Sequence, residues 1–285
     1  FLGVSAVMNI GLDLWFVVGL ERGVAGAAEA TVISQYVSGV GILLYAHKKR
    51  PDLRAKGARV RLSRMKEIAS FSSLTCIQQS IMNLGILMVQ GLVNSFGTTV
   101  MAAFAAAVKI DAFAYLPVQD FGNAFSTFIA QNYGAGNEER MRAGLRGAVK
   151  VSVGFSLLVS ALIWAFGAGL MGLFIDAGEV SVTAIVAEGV RYLRIEGTFY
   201  FAIGCLFLFY GLYRAMGRPG MSVVLTVISL GTRVALAYAL SAIPALGVVG
   251  IWWSVPIGWF LADAAGLFYY LSHKKQLYAL PKRAG

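Results

Sequence analysis

The sequence reads YAHKK at positions 45–49 and YYLSHKK at positions 269–275, each at the end of a long apolar stretch. Of its 285 residues, 58% are hydrophobic and only 13% are charged, and the mean hydropathy is +0.71. A soluble domain carries about 25% charged residues, so this composition indicates a membrane protein. Lys and Arg placed directly after an apolar stretch are typical of the cytoplasmic end of a transmembrane helix. The two HKK segments therefore predict two helix ends on the same face of a membrane.

The apolar stretches are long enough to be membrane spans, because an α-helix needs about 20 mostly apolar residues to cross a bilayer. They do not alternate between apolar and polar residues as the strands of a membrane β-barrel would. The sequence therefore predicts an all-α membrane protein, a polytopic helical bundle. The predicted spans are 1–20, 25–46, 68–95, 100–133, 148–174, 187–213, 220–243 and 247–272.

The formal net charge of +10 is unevenly distributed along the chain. Nine of the 24 Lys and Arg residues lie in 48–66 and four lie in 140–150, with others at Arg214, Arg218 and in the tail from Lys274. If the helices alternate in direction, all of these segments fall on one side of the membrane, and the opposite loops carry few charges. This positive-inside pattern predicts that the basic loops and the C terminus are cytoplasmic, and it argues against binding to nucleic acid.

Three blocks of sequence occur twice in the same order. VMNIGLDLWFVV, GVAGAAEATVIS and YAHKK near the start correspond to VISLGTRVALAY, GVVGIWWSVPIG and LSHKK near the end. This pattern predicts two lobes of six helices each, related by an axis along the membrane normal. Residues 1–47 would be the last two helices of the first lobe and 67–275 a complete second lobe, so we expect a longer parent chain. The basic segment 48–66 would link the lobes, and 276–285 would form a cytoplasmic tail.

Five motifs carry a family resemblance. In order and spacing they resemble the multidrug and toxic compound extrusion (MATE) family, in particular its bacterial DinF-like branch. The motifs are NIGLD at 9–13, ATVISQ at 30–35, AFSTFIAQNYGAGNEER at 124–140, YLRIEGTFY at 192–200 and GVVGIWWSVPIGW at 247–259. The resemblance implies twelve helices in two lobes around a central cleft that opens alternately to each side of the membrane. Helices 5 to 12 would be present here.

The resemblance also implies a function. A protein of this family would be a secondary antiporter in the bacterial inner membrane, not an enzyme. It would export amphipathic, often cationic, organic compounds in exchange for H⁺ or Na⁺, without a cofactor. We expect a lipid bilayer and a small-molecule drug or toxic compound as its partners, and a monomer as its functional state at full length.

Asn9, Asp13 and Thr31 form the candidate cation-binding and coupling site. Asn9 and Asp13 are four residues apart and therefore share one face of a helix, and Thr31 lies on the next helix. Carboxylate, amide and hydroxyl oxygens suit a small cation or a proton relay, although an acid bonded to a neighbouring helix would give the same pattern. The resemblance favours the cation site, because it places these residues in a first-lobe site that also draws an Asp from the first helix of the family.

Two spans carry rows of polar residues. The row in 68–95 lies on one helical face, and the row in 100–133 recurs at every fourth residue, with Pro117 expected to kink that helix. A kinked, polar-striped helix suits the lining of a cavity, but hydrogen bonds between packed helices would need the same residues. The candidates for a substrate cleft are Gln79, Asn83, Asp111, Tyr115, Gln119 and Asn123.

The remaining charged residues within the spans have separate interpretations. Glu196 lies well inside a span and is a further candidate proton site, since buried ionisable groups in membranes often have functions. Glu188 and Arg191 are predicted to form an i, i+3 ion pair. Arg233 and Asp263, on the last two spans, are expected to neutralise each other.

Two other functions fit the sequence less well. A flippase for lipid-linked precursors, with a related two-lobe fold, would need a cleft rich in Arg and Lys to hold pyrophosphate. The second-lobe spans offer only Lys109 and Arg233 in their interiors. A membrane enzyme would need a nucleophile with a base, or a metal site. The two histidines, His47 and His273, lie at cytoplasmic helix ends, and two isolated cysteines make no metal-binding pattern.

Overall fold

The structure is a computed structural model that describes residues 2–49, 62–175 and 181–278. All regular secondary structure in these ranges is helical, which confirms the all-α prediction. Most of the predicted linker 48–66 and most of the predicted tail 276–285 lie outside the described residues, as does 176–180. The helices are α1 (Leu2–Asp13), a π-helical segment (Leu14–Gly19), α2 (Gly23–Lys49), α3 (Leu62–Asn94), α4 (Thr98–Gly134), α5 (Glu138–Gly172), α6 (Val182–Thr198), α7 (Tyr200–Ala215), α8 (Pro219–Ser241) and α9 (Val248–Tyr278).

Residues 1–65 form the first of two compact units. The predicted span 1–20 is not a uniform α-helix, because the chain widens into a π-helix after Asp13. The chain then turns back as α2, and Gly26 lies so close to Phe16 that a Cβ at Gly26 would be 3.0 Å from the Phe16 Cβ. This close approach holds the first two helices together. At the turn, Arg22 donates two hydrogen bonds to the Glu29 carboxylate.

Residues 66–285 form the second unit. Five of its described helices are each long and apolar enough to cross a membrane: α3, α4, α5, α8 and α9. The predicted span 187–213 is broken into α6 and α7, which are bent by 52° relative to each other. This bend was not predicted from the sequence.

The bend after Thr198 is stabilised by side-chain hydroxyl groups. The Ser160 hydroxyl on α5 donates to the Gly197 carbonyl at 2.5 Å, and the Thr198 hydroxyl donates to the Arg194 carbonyl at 2.6 Å. A backbone carbonyl released from a helix at membrane depth needs such a partner, because no water is available there. Trp164 adds a third contact by donating to the Thr198 hydroxyl at 3.1 Å.

Close packing at two glycines joins α4 to α7. A Cβ at Gly211 would lie 2.6 Å from the Gly122 carbonyl oxygen, and a Cβ at Gly122 would lie 2.9 Å from the Phe207 carbonyl oxygen. Small residues at such crossings let helix backbones approach in membrane proteins. The crossing places the bent helix pair directly against α4, which carries most of the predicted cleft residues.

Candidate functional site

The second unit contains a cavity of about 220 Å³. All of its helices except α5 contribute to the lining, which is mostly aliphatic and aromatic. In the described lining, the charged residues are Asp111 from α4, Glu196 from α6 and Arg233 from α8. Two of the predicted candidates, Asp111 and Glu196, are therefore brought to one site, and Tyr115 lines the same cavity.

The two carboxyl groups differ in their partners. The Tyr200 hydroxyl donates to Asp111 Oδ1 at 2.5 Å. Glu196 is only 1% exposed, and its Oε1 is buried without a hydrogen-bond partner. Tyr192 lies close enough to both carboxyl groups to interact with each of them. The site therefore holds one acid with a hydrogen-bond donor and one acid with an unpaired oxygen.

Sequence reasoning missed the two tyrosines of this site. Tyr192, Glu196 and Tyr200 occur at intervals of four residues in YLRIEGTFY, a spacing that places them on one side of a helix. That spacing was a usable signal, because two tyrosines flanking a buried acid can donate to carboxyl groups on a facing helix. The bend between α6 and α7 lies within this segment and was not predictable from the spacing.

The expected neutralisation of Arg233 by Asp263 is wrong. Arg233 lines the cavity with Asp111 and Glu196, and no ion pair with Asp263 occurs within the described part of the chain. Position 258 on α9 faces Arg233, since a Cβ at Gly258 would lie 3.5 Å from the Arg233 Cβ. Asp263 is five residues further on, about 7.5 Å along the helix. It lies instead near Cys205 on α7, and its Oδ1 is buried without a partner.

The ion pair predicted between Glu188 and Arg191 is confirmed, with Arg191 Nη1 at 3.4 Å from Glu188 Oε2. Glu188 Oε1 also accepts a hydrogen bond of 2.8 Å from the Trp252 indole. The Trp252 ring stacks on Phe104 with ring centroids 5.5 Å apart. Glu188 therefore has a packing role that joins α6 to α9 and lies outside the cavity lining.

The other predicted cleft residues do not line this cavity. Gln119 donates to the Tyr115 hydroxyl at 3.3 Å, and Asn123 accepts a 2.9 Å hydrogen bond from Arg214. Gln79 and Asn83 are exposed on α3. The assignment of these four residues to a substrate cleft stays a prediction.

The first unit brings Asn9 and Thr31 together. The Asn9 side-chain amide donates to the Thr31 hydroxyl at 3.5 Å, and the Ser5 hydroxyl one turn earlier donates to the Ser34 carbonyl at 2.8 Å. Asp13 Oδ1 is buried and has no hydrogen-bond partner. Asp13 is also the last residue before the π-helical segment, a kind of helix that occurs frequently at functional sites.

Comparison with known proteins assigns the chain to a family. The MatE family model matches residues 75–239, more than half of the chain. The chain belongs to the MatE family. This MatE protein is 30% identical over 277 residues to the probable multidrug resistance protein YpnP of Bacillus subtilis, covering 95% of the chain and 59% of YpnP. It is 26% identical over 279 residues to the probable multidrug resistance protein NorM of Thermotoga maritima, covering 95% of the chain and 59% of NorM. The chain thus spans about three fifths of the length of these curated relatives.

Solved structures of MATE proteins share this fold. A MATE protein in complex with MaL6 gives a TM-score of 0.88 at 23% identity, over 96% of this chain and 62% of the other. An outward-facing multidrug resistance MATE family transporter of the MOP superfamily also gives 0.88 at 23% identity, over 96% and 61% of the two chains. These findings confirm the predicted family and fold class. This MatE protein is a multi-pass membrane protein.

Proposed function

We propose that the protein exports amphipathic, often cationic, organic compounds across the bacterial inner membrane in exchange for H⁺ or Na⁺. The observation that carries this proposal is the alignment of 95% of the chain with relatives named as multidrug resistance proteins. Export would proceed by alternating access in the full-length monomer and would need no cofactor. The basic loops and the C terminus would face the cytoplasm, as the positive-inside pattern favours.

Ion coupling is assigned to Asp13. Its buried Oδ1 lacks a hydrogen-bond partner, and a buried polar atom without a partner is costly, so a bound proton or Na⁺ would stabilise it. Asn9 and Thr31, which contact each other across α1 and α2, supply neutral oxygen atoms of the kind that complete a site for a small cation. Exchange of that ion as the transporter opens to each side would drive export.

The chemistry of the cavity in the second unit does not favour the flippase alternative. Its single Arg233 is accompanied by the carboxyl groups of Asp111 and Glu196, which would repel a pyrophosphate group. Lys109 lies outside the lining, with its ammonium 5.8 Å from the centre of the Phe174 ring.

The substitution Asp13→Asn tests the coupling assignment. In the full-length protein we expect it to abolish ion-driven dye efflux while expression is retained, because the amide keeps the shape of the carboxyl group but carries no charge. Asn9→Ala and Thr31→Ala should weaken coupling less, since each removes one neutral group. Efflux would be measured in vesicles against imposed pH and Na⁺ gradients.

Asp263→Asn is the matched control. Asp263 is also an acid with a buried, unpartnered oxygen, but we expect its substitution to change stability more than coupling. An Asp13→Asn transporter that remains fully coupled to either gradient would contradict the assignment.

A further inference from the structure

The cavity in the second unit is lined by two ionisable side chains that each have an unpaired polar atom. Glu196 Oε1 and Arg233 Nε are both buried without a hydrogen-bond partner, and both residues line the cavity. Leaving a buried donor or acceptor unpaired costs about 1–3 kcal/mol, and more for a charged group. The cavity is therefore lined by one acid and one base, each with a polar atom that is buried in its wall without a partner.

These charges do not satisfy each other. In the ranges that the structure describes, Arg233 makes no ion pair with Asp111 or Glu196, although it is close enough to interact electrostatically with both. Asp111 accepts a hydrogen bond from Tyr200 instead. A positive region at Arg233 and a negative region at the two carboxyl groups thus face the same space without direct contact.

This arrangement selects for ligands with two opposite charges. A simple amine would satisfy the carboxyl groups but would place a second positive charge beside Arg233. A simple carboxylate would satisfy Arg233 but would add a third negative group to the acid pair. A zwitterion satisfies both regions at once, and a charge buried with its partner avoids most of the penalty of an unpaired buried charge.

The volume of the cavity limits the size of the ligand. Benzene, with six non-hydrogen atoms, fills an engineered protein cavity of about 150 Å³. On the same scale, the cavity of about 220 Å³ accommodates about nine non-hydrogen atoms. Part of its wall is aliphatic, from Ile203, Leu206 and Leu230. The exposed residue Gln90 also belongs to the lining, so the cavity reaches the surface beside α3.

We propose that this cavity binds a compact zwitterion with the size and charge pattern of an aliphatic α-amino acid. The ammonium group contacts Asp111 and Glu196, the carboxylate contacts Arg233, and the aliphatic side chain packs against the apolar wall. The inference concerns binding alone. It is therefore independent of drug export, and failure of either proposal leaves the other standing.

Equilibrium binding of radiolabelled L-leucine to the protein in lipid nanodiscs tests the proposal. L-Leucine has both charges and about the right size, isoamylamine lacks its carboxylate, and 4-methylpentanoate lacks its ammonium group. We expect unlabelled L-leucine to displace the label and each analogue to compete at least tenfold more weakly. Equal competition by isoamylamine would identify a plain cation site and overturn the proposal. Absence of L-leucine binding would overturn it too, since L-leucine has the charges and the size that the proposal requires.

Two substitutions locate the site. Glu196→Gln and Arg233→Gln should each weaken L-leucine binding at least tenfold. Arg233→Gln should also abolish the preference for L-leucine over isoamylamine, a change that a purely structural role would not produce. The control is Arg191→Gln, because Arg191 lies outside the cavity lining on the same unit. Should Arg233→Gln fail to fold, the competition series on the unmodified protein decides the question.

Discussion

At the crossing of α4 and α7, the structure indicates how strongly a substitution of Gly211 should affect stability. A Cβ at Gly211 would lie 2.6 Å from the carbonyl oxygen of Gly122. Ordinary van der Waals contacts of a Cβ begin at 3.4 Å, so Gly211→Ala must separate the two helices by about 0.8 Å. The carbonyl oxygen belongs to the backbone and the Cβ is fixed directly to it, so neither atom can rotate away. We therefore expect Gly211→Ala to be destabilising.

Two opposing effects determine how much Gly211→Ala changes the free energy of unfolding. Overpacking of this kind costs about 1–3 kcal/mol, whereas replacing Gly by Ala inside a helix gains about 1 kcal/mol. Gly231→Ala measures the helix-propensity effect alone, because Gly231 lies inside α8 and its Cβ would have no neighbour within 4 Å. That variant should show only the stabilisation from replacing Gly by Ala. The two variants should consequently differ in unfolding free energy by about 1–3 kcal/mol.

Thermal unfolding in detergent, followed by size-exclusion chromatography of heated samples, measures the difference. For a protein of this size, 1 kcal/mol corresponds to about 2–4 °C in Tm, so Gly211→Ala should unfold at least about 2 °C below Gly231→Ala. Equal melting temperatures for the two variants would refute the reasoning. That result would mean that α4 and α7 can move apart without any loss of folding free energy.

Two further predictions concern the bend and the topology. Ser160→Ala removes the donor to the Gly197 carbonyl and should cost about 1–3 kcal/mol of stability, whereas Ser73→Ala, at an exposed site on α3, should leave Tm nearly unchanged. In a background with both native cysteines replaced by alanine, Glu138→Cys should react with thiol reagents from the cytoplasmic side and Leu246→Cys from the outside. Labelling of both from one side would contradict the topology.

The positions of the helices were largely predictable, because a membrane imposes a minimum length of apolar sequence. For example, the predicted span 220–243 corresponds to α8 at Pro219–Ser241. The bend between α6 and α7 was missed, since the predicted span 187–213 contains no proline to mark a break in the helix. The Gly197 carbonyl at the bend accepts a hydrogen bond from Ser160, which lies on a different helix and far away in the sequence.

The candidate site was predictable only in part. Asp111 and Glu196 were found because ionisable residues are rare at membrane depth and usually have a role. Their association with each other was not found, and Arg233 was assigned to the wrong acid. Nothing in a single sequence reports how far two antiparallel helices are shifted along each other, and that shift separates Arg233 from Asp263.

The sequence by itself determined the class of this protein, the positions of most of its long apolar helices, and which residues are polar within them. These properties follow from local composition, which acts on each segment separately. The tertiary structure alone decided that Asp111, Glu196 and Arg233 face one cavity, because rotation and axial position of helices are set by contacts between distant residues. At Gly122 and Gly258 those contacts involve backbone atoms with no room for a side chain, so the packing of neighbouring helices determines which polar residues meet.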